Sequence, residues 1–142
     1  MDLKFAFAVN TKNQFKKSHF GDADKYLLYE VVSNELKLVA EEENIFKHLD
    51  EAKEHGSTIK GNAIIKFLVD KNVKAIVSLQ FGRNIKMVNK HFIPIIIHED
   101  KPQDAIEVIN KHLHWIGDEW KRKNSDYNLF TIKFGLLKSK ID

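Results

Sequence analysis

Three short runs in this chain are apolar on both sets of alternating positions, not on one: Leu3–Val9 apart from Lys4, Lys74–Leu79 apart from Lys74 and Ser78, and Phe92–Ile97. A strand with one face in water alternates apolar and polar residues, so runs of this kind predict strands covered on both faces. Lys25–Val32 (KYLLYEVV) carries Tyr, Leu and Val at both sets of alternating positions and belongs with them. Glu35–Glu41 differs, because Leu36, Leu38 and Ala40 alternate with charged residues and Val39, the pattern of a strand nearer a sheet edge. Helical spacing fills the intervals. Ser57 is placed to cap a helix with apolar positions Ile59, Ala63, Ile64, Phe67 and Leu68. A second helix near Arg83–Lys90 packs through Ile85 and Val88. Pro102 fits the first turn of a long helix whose seam runs through Ile106, Ile109, Leu113, Ile116 and Trp120.

The resulting order, β-β-β-α-β-α-β-α, predicts an α/β fold: a three-layer α/β/α sandwich with a ribonuclease H-like motif. Right-handed crossovers favour a five-stranded mixed sheet of order 3-2-1-4-5 with strand 2 antiparallel. Pro94, which has no N–H for a ladder, assigns the fifth strand to an edge. This single domain covers residues 1–122. Residues 123–142 form a C-terminal extension whose weakly alternating Tyr127–Leu137 segment reads as an added strand, pairing with an edge or with another subunit.

Composition narrows the function classes. Ten Phe and 43% hydrophobic residues can fill one core in a chain of 142 residues, so neither a disulfide nor a metal is needed for folding. There is no cysteine, which excludes disulfides, thiolate catalysis and cysteine-ligated clusters. A net charge of +3 is modest for a nucleic-acid binder. No apolar run approaches the roughly 18 residues of a membrane span. The expectation is a cytoplasmic protein with no nucleic-acid or membrane partner.

Three loops then become candidates for a site. In the expected topology, strands one, three, four and five run the same way. The loop after strand one holds His19 and Gly21, the connection after strand three holds His55-Gly56, and the loop after strand four is Phe81-Gly82-Arg83-Asn84. All emerge at the carboxyl edge of the sheet, where open α/β folds bind ligands. Two helix N-termini expected there, with Lys16, Lys17 and Arg83 nearby, favour an anion. Structural roles compete at each position. His19 also suits a plain turn, Phe20 suits a core position, and a tight turn at Gly21 calls for a positive φ. Asp22 and Asp24 fit turn-fixing bonds to local backbone amides. His55 fits an ordinary loop, and Gly82 and Asn84 fit the shaping of a helix entry.

The stretch SHFGDADKYLLYEV, the EHGS of residues 54–57 and the QFGRNI of residues 80–85 occur in an order that resembles the dinitrogenase iron–molybdenum cofactor biosynthesis family, the carrier and accessory proteins of nitrogenase cofactor assembly and their relatives. The resemblance covers roughly residues 3 to 120. It implies a ribonuclease H-like fold that binds an iron–sulfur or iron–molybdenum-type cluster, or a precursor of one, transiently and hands it to cofactor-assembly proteins without catalysing a reaction. It further implies that His19 is the metal ligand. Phe20, Gly21, His55, Gly56, Phe81, Gly82, Arg83 and Asn84 would complete the cofactor pocket.

Two other classes compete with a cluster carrier. A ribonuclease H-like nuclease needs a carboxylate projecting from its central strands to hold metal ions. Neither Leu3–Val9 nor Lys74–Leu79 supplies one. A regulatory module of the same fold that binds a small anion or a protein and carries no cluster remains the alternative, favoured by the absence of cysteine. His48, His91, His98, His112 and His114 are assigned no site.

Overall fold

The computed structural model describes residues 2–49, 56–122, 125–133 and 135–141; of residues 56–58 and 84 only the backbone is considered. Seven strands form one sheet: β1 (Lys4–Val9), β2 (Lys25–Val32), β3 (Glu35–Glu43), β4 (Ala75–Ser78), β5 (Ile93–Ile97), β6 (Leu129–Ile132) and β7 (Leu136–Ser139). Their order is β3-β2-β1-β4-β5-β6-β7. β2 is antiparallel to both neighbours, β1, β4, β5 and β6 are mutually parallel, and β7 returns antiparallel to β6. The sheet thus contains the expected 3-2-1-4-5 order but has seven strands rather than five.

The difference lies at β5. Pro94 does not mark an edge, because β5 pairs with β4 on one side and β6 on the other. The Ile93 N–H donates to the Lys74 carbonyl, so the next residue's nitrogen faces away from β4. Pairing with β6 begins only at Ile95. Pro94 therefore occupies a place in an interior strand where its missing donor interrupts no ladder.

Helices cover both faces, as the two-sided apolar strands require. On one face Phe5, Phe7, Val9, Val77 and Ile95 pack with Ala105 and Ile109 of α3 (Pro102–Lys111) and Leu113 and Ile116 of α4 (Leu113–Arg122). On the other, Ala6, Ala8, Leu28 and Ile76 pack with Ile64, Ile65 and Leu68 of α1 (Gly56–Asp70) and with Val88 of α2 (Ile85–Val88). This is a three-layer α/β/α arrangement. β1 shows how sequence encodes it: phenylalanines line one face and alanines the other, leaving room for α1 and the loop beneath it.

Several local details depart from expectation. The expected long helix is two helices separated at His112, whose φ of −129° breaks the spiral. α1 begins at Gly56, so Ser57 lies within its first turn rather than at its cap. Its buried positions follow Gly61, Ile64, Ile65 and Leu68, leaving Ile59 exposed. The register of β2 against β3 shifts between Leu28 and Tyr29 of β2, with Leu28 opposite Ala40 and Tyr29 opposite Leu38. Val39 is the extra residue of this bulge, so Leu36 and Ala40 contribute to opposite cores. The hairpin joining β2 and β3 turns at Ser33-Asn34, both with positive φ, as a two-residue turn of the I′ type requires. No helix among the described residues is long and apolar enough to cross a membrane.

Candidate functional site

The segment after β1 is anchored at Phe15. Phe15 is buried and stacks on Phe7 at 5.5 Å, and its N–H donates to the Asp100 carbonyl. The chain then turns through Ser18 and His19 into a 3-10 turn at Phe20–Asp22. Phe20 fills the core beneath α1, 5.7 Å from the ring of Phe81. The Tyr26 hydroxyl, fully buried, donates to the Phe20 carbonyl at 2.7 Å. Burial pushes that phenol well above its usual range, and the nearby Asp22 charge adds to the effect. It stays a neutral donor.

The same loop is joined to the segment after β4. His19 and Gln80 form a parallel bridge, and the Phe20 N–H donates to the Gln80 carbonyl at 3.1 Å. Ser78, buried at the end of β4, closes the turn by donating its hydroxyl to the same carbonyl at 3.0 Å. Gly82 follows with φ +63°, in the left-handed region. The His19 imidazole lies against it: a Cβ at position 82 would overlap the ring's Cε1 and Nδ1 and sit 3.1 Å from Nε2. Both reasons for a glycine therefore hold at Gly82, and the close approach is to the exposed histidine. Gly21 does not have positive φ, contrary to the turn geometry expected there. It is buried, and a Cβ at that position would meet Ile64 and Lys60 of α1 at ordinary contact distance.

Charge around the loop is largely paired. Asp22 accepts from the Ser18 hydroxyl at 2.6 Å and from Lys60. Burial raises its pKa, but these bonds, with the charges of Lys60 and His19, outweigh that and hold it below the usual carboxylate range. Asp24 accepts from Lys47 and from the Thr11 N–H, with Lys16 at 3.5 Å. The Lys47 bond is the main cause of its lowered pKa. Neither carboxylate bonds a local backbone amide as expected: Asp24 accepts from the amide of Thr11, 13 residues earlier in the chain, and Asp22 holds side chains. Lys16, expected to attract a ligand, pairs with Asp24. Among the described residues Lys17 and Arg83 are exposed and make no ion pair.

Of the residues expected to form a site, the structure brings together His19, Phe20, Gly21, Phe81, Gly82 and Arg83. Phe20 and Phe81 are buried supports, while His19, Gly82 and Arg83 face solvent. Gly56 opens α1, whose Lys60 and Ile64 flank Gly21. His55 and the Asn84 side chain lie outside the described residues. α2 is a single turn preceded by a 3-10 turn at Gly82–Asn84, so the second helix dipole expected to face this edge is too short to contribute much. Among the described residues no group of three or more His, Asp or Glu is placed to hold a metal ion.

Sequence reasoning missed the residue that holds the loop in place. Asn44, buried just after β3, donates from Nδ2 to the carbonyls of Gly21 and Ala23, both at 2.9 Å. Its Oδ1 accepts from the Phe46 N–H at 3.1 Å. All three polar groups of the amide are used, and two of its partners lie more than 20 residues away, so nothing local in EEENIF marks it. Among the described residues the arrangement offers one imidazole on a doubly anchored loop, beside a glycine turn and two cations that make no ion pair. It can present a single nitrogen ligand to a bulky anionic group.

A protein-family model described as dinitrogenase iron–molybdenum cofactor matches residues 1–112, the segment that contains all of these elements. No curated protein matches the chain.

Proposed function

We propose that this chain, which belongs to the dinitrogenase iron–molybdenum cofactor family, binds an iron–sulfur-type metal cofactor or its precursor non-covalently and passes it on without catalysing a reaction. His19 supplies the ligand nitrogen. Gly82 and the backbone around it give the cargo close access, and Lys17 and Arg83 attract its negative charge. The observation that carries this reading is the seating of the exposed His19 ring on the positive-φ Gly82. Two sequence elements more than 60 residues apart meet there around one imidazole.

The donor set suits cargo rather than a permanent cofactor. With no cysteine in the chain and, among the described residues, one histidine at the turn, attachment is labile, as transfer to an assembly protein requires. An imidazole suits iron, and its second nitrogen remains available for an orienting acceptor. The same sparse donor set supports a second reading, a module that binds a small anion or a protein partner at this edge and carries no cluster.

The test is anaerobic titration of the purified protein with an isolated iron–sulfur cofactor precursor, followed by visible absorbance for unmodified protein and His19→Ala. Stoichiometric binding that weakens at least tenfold in the variant is expected. Undiminished binding by His19→Ala would remove His19 as the ligand. No binding by either protein would favour the module without a cluster.

A further inference from the structure

The opposite edge of the sheet carries a second feature of a different chemistry. A cavity of about 320 Å³ opens where β4, β5 and β6 begin, lined by Val73, Lys74, Lys90, His91, Trp120 and Tyr127 together with Val69. Five residues, four of them the strand β4, separate Lys74 from Gln80, so this cavity lies roughly 15–20 Å from the His19 turn. Its floor is built and fixed. Val73 and Tyr127 are buried, and Tyr127 is held on both sides by Asn89: its N–H donates to the Asn89 carbonyl at 2.9 Å, and Asn89 Nδ2 donates to its carbonyl at 3.0 Å. The Trp120 and Tyr127 rings stack at 5.0 Å with planes 11° apart.

The charge of this lining is one-sided. It contains two lysines and a histidine but no carboxylate; Glu119, whose charge reaches Tyr127, is buried outside the lining and paired with Lys138 at 3.6 Å. Lys74 Nζ lies 5.0 Å from the centre of the Trp120 ring, and among the described residues neither Lys74 nor Lys90 pairs with an acid. An adjoining depression of about 240 Å³ shares Lys90 and adds Lys86 and Lys140 against one acid, Asp126. In a chain whose 23 basic residues face 20 acidic ones, most lysines could have been placed beside a carboxylate, as Lys16, Lys25, Lys47 and Lys60 are. A concave, carboxylate-free lining with several cations attracts a group of more than one negative charge. Val73 and Tyr127 close the floor, and the partly exposed Trp120, stacked on Tyr127, offers an apolar edge that bare phosphate would not use. The volume is at the small end for ligand sites.

We propose that this cavity binds a small organophosphate, its dianionic group held by Lys74, Lys90 and His91 and its apolar body lying along Val73, Trp120 and Tyr127. This site is separate from the His19 turn and does not depend on cluster binding there.

Calorimetric titration of the unmodified chain at fixed ionic strength, with adenosine monophosphate, inorganic phosphate and adenosine as probes, tests it. Saturable binding of one adenosine monophosphate per chain is expected, at least tenfold tighter than phosphate or adenosine. Lys74→Met and Lys90→Met, each verified as folded by circular dichroism, should weaken it at least tenfold, and His19→Ala should leave it unchanged. Methionine keeps the packing of the lysine stem over Trp120, and Lys90→Met on the exposed rim serves should Lys74→Met fail to fold. Four results would each overturn the proposal: heat that does not saturate, phosphate binding as tightly as adenosine monophosphate, adenosine doing so, or full-strength binding by both lysine variants.

Discussion

Replacing Gly82 by alanine separates two costs that the geometry keeps distinct. At φ +63° any L-residue pays for the left-handed backbone, about 1–2 kcal/mol. The new Cβ would also overlap the His19 ring, which must then swing away. Because His19 is exposed, the ring can move into water, so this second cost is about 1 kcal/mol, the size of an off-rotamer side chain. Gly82→Ala should therefore lose about 2–3 kcal/mol in all. In the His19→Ala background the ring is gone, and only the backbone cost of about 1–2 kcal/mol should remain. Guanidinium unfolding of the four proteins, followed by circular dichroism, gives the coupling energy directly. A coupling near 1 kcal/mol is expected. Equal costs of Gly82→Ala in both backgrounds would show that the imidazole does not rest on this glycine, and the reasoning that joins the two loops would fail. Movement of the His19 ring resonances in the Gly82→Ala spectrum provides an independent check.

Asn44→Ala should destabilise the protein by about 2 kcal/mol, because it strands the buried carbonyls of Gly21 and Ala23. Amide exchange in residues 18–24 should accelerate more than in β4, and uniform acceleration would argue against a local clamp. Asp24 is more acidic in the folded protein than its ordinary value of 3.8, chiefly through its bond from Lys47. Its stabilising contribution is therefore complete above about pH 4 to 5 and disappears as pH falls through the lowered folded value. Denaturant midpoints of Asp24→Asn measured from pH 6 to 3 should fall less steeply than those of the unmodified protein, and parallel curves would contradict the pairing. Glu119, 2% exposed in α4, accepts from the Asn128 N–H at 2.8 Å and lies 3.6 Å from Lys138 of β7. Glu119→Ala should lose about 2 kcal/mol and speed exchange in β6 and β7 before β1, which hydrogen-exchange mass spectrometry would detect.

The layers of this fold are written locally. Consecutive apolar residues in β1, β4 and β5 need cover on both faces, and only helices on both sides provide it. The bounds of β2 and the Ser33-Asn34 turn are likewise visible in the chain, because short-range backbone preferences set them. Where β5 sits could not be read in the same way. Proline excludes one hydrogen bond, not a position in the sheet, and the direction of that bond depends on which neighbour Ile93 faces. The break at His112 and the bulge at Val39 are similar, since each answers to packing against distant residues rather than to its own neighbours in sequence.

The site divides along the same line. Histidine, glycine and phenylalanine types in SHFG and QFGRN, and their matching order, are visible without coordinates. That Gly82 rather than Gly21 takes the left-handed conformation, and does so under the His19 ring, follows from the parallel bridge between His19 and Gln80. Asn44, Tyr26 and the amino-edge cavity belong wholly to tertiary structure. A buried donor is defined by carbonyls brought to it from elsewhere in the chain. A basic cavity is defined by the carboxylates that folding places elsewhere. Local sequence sets which backbone shapes and which faces are available, while long-range contacts choose which polar groups meet, because that choice depends on distances in space that residue spacing does not encode.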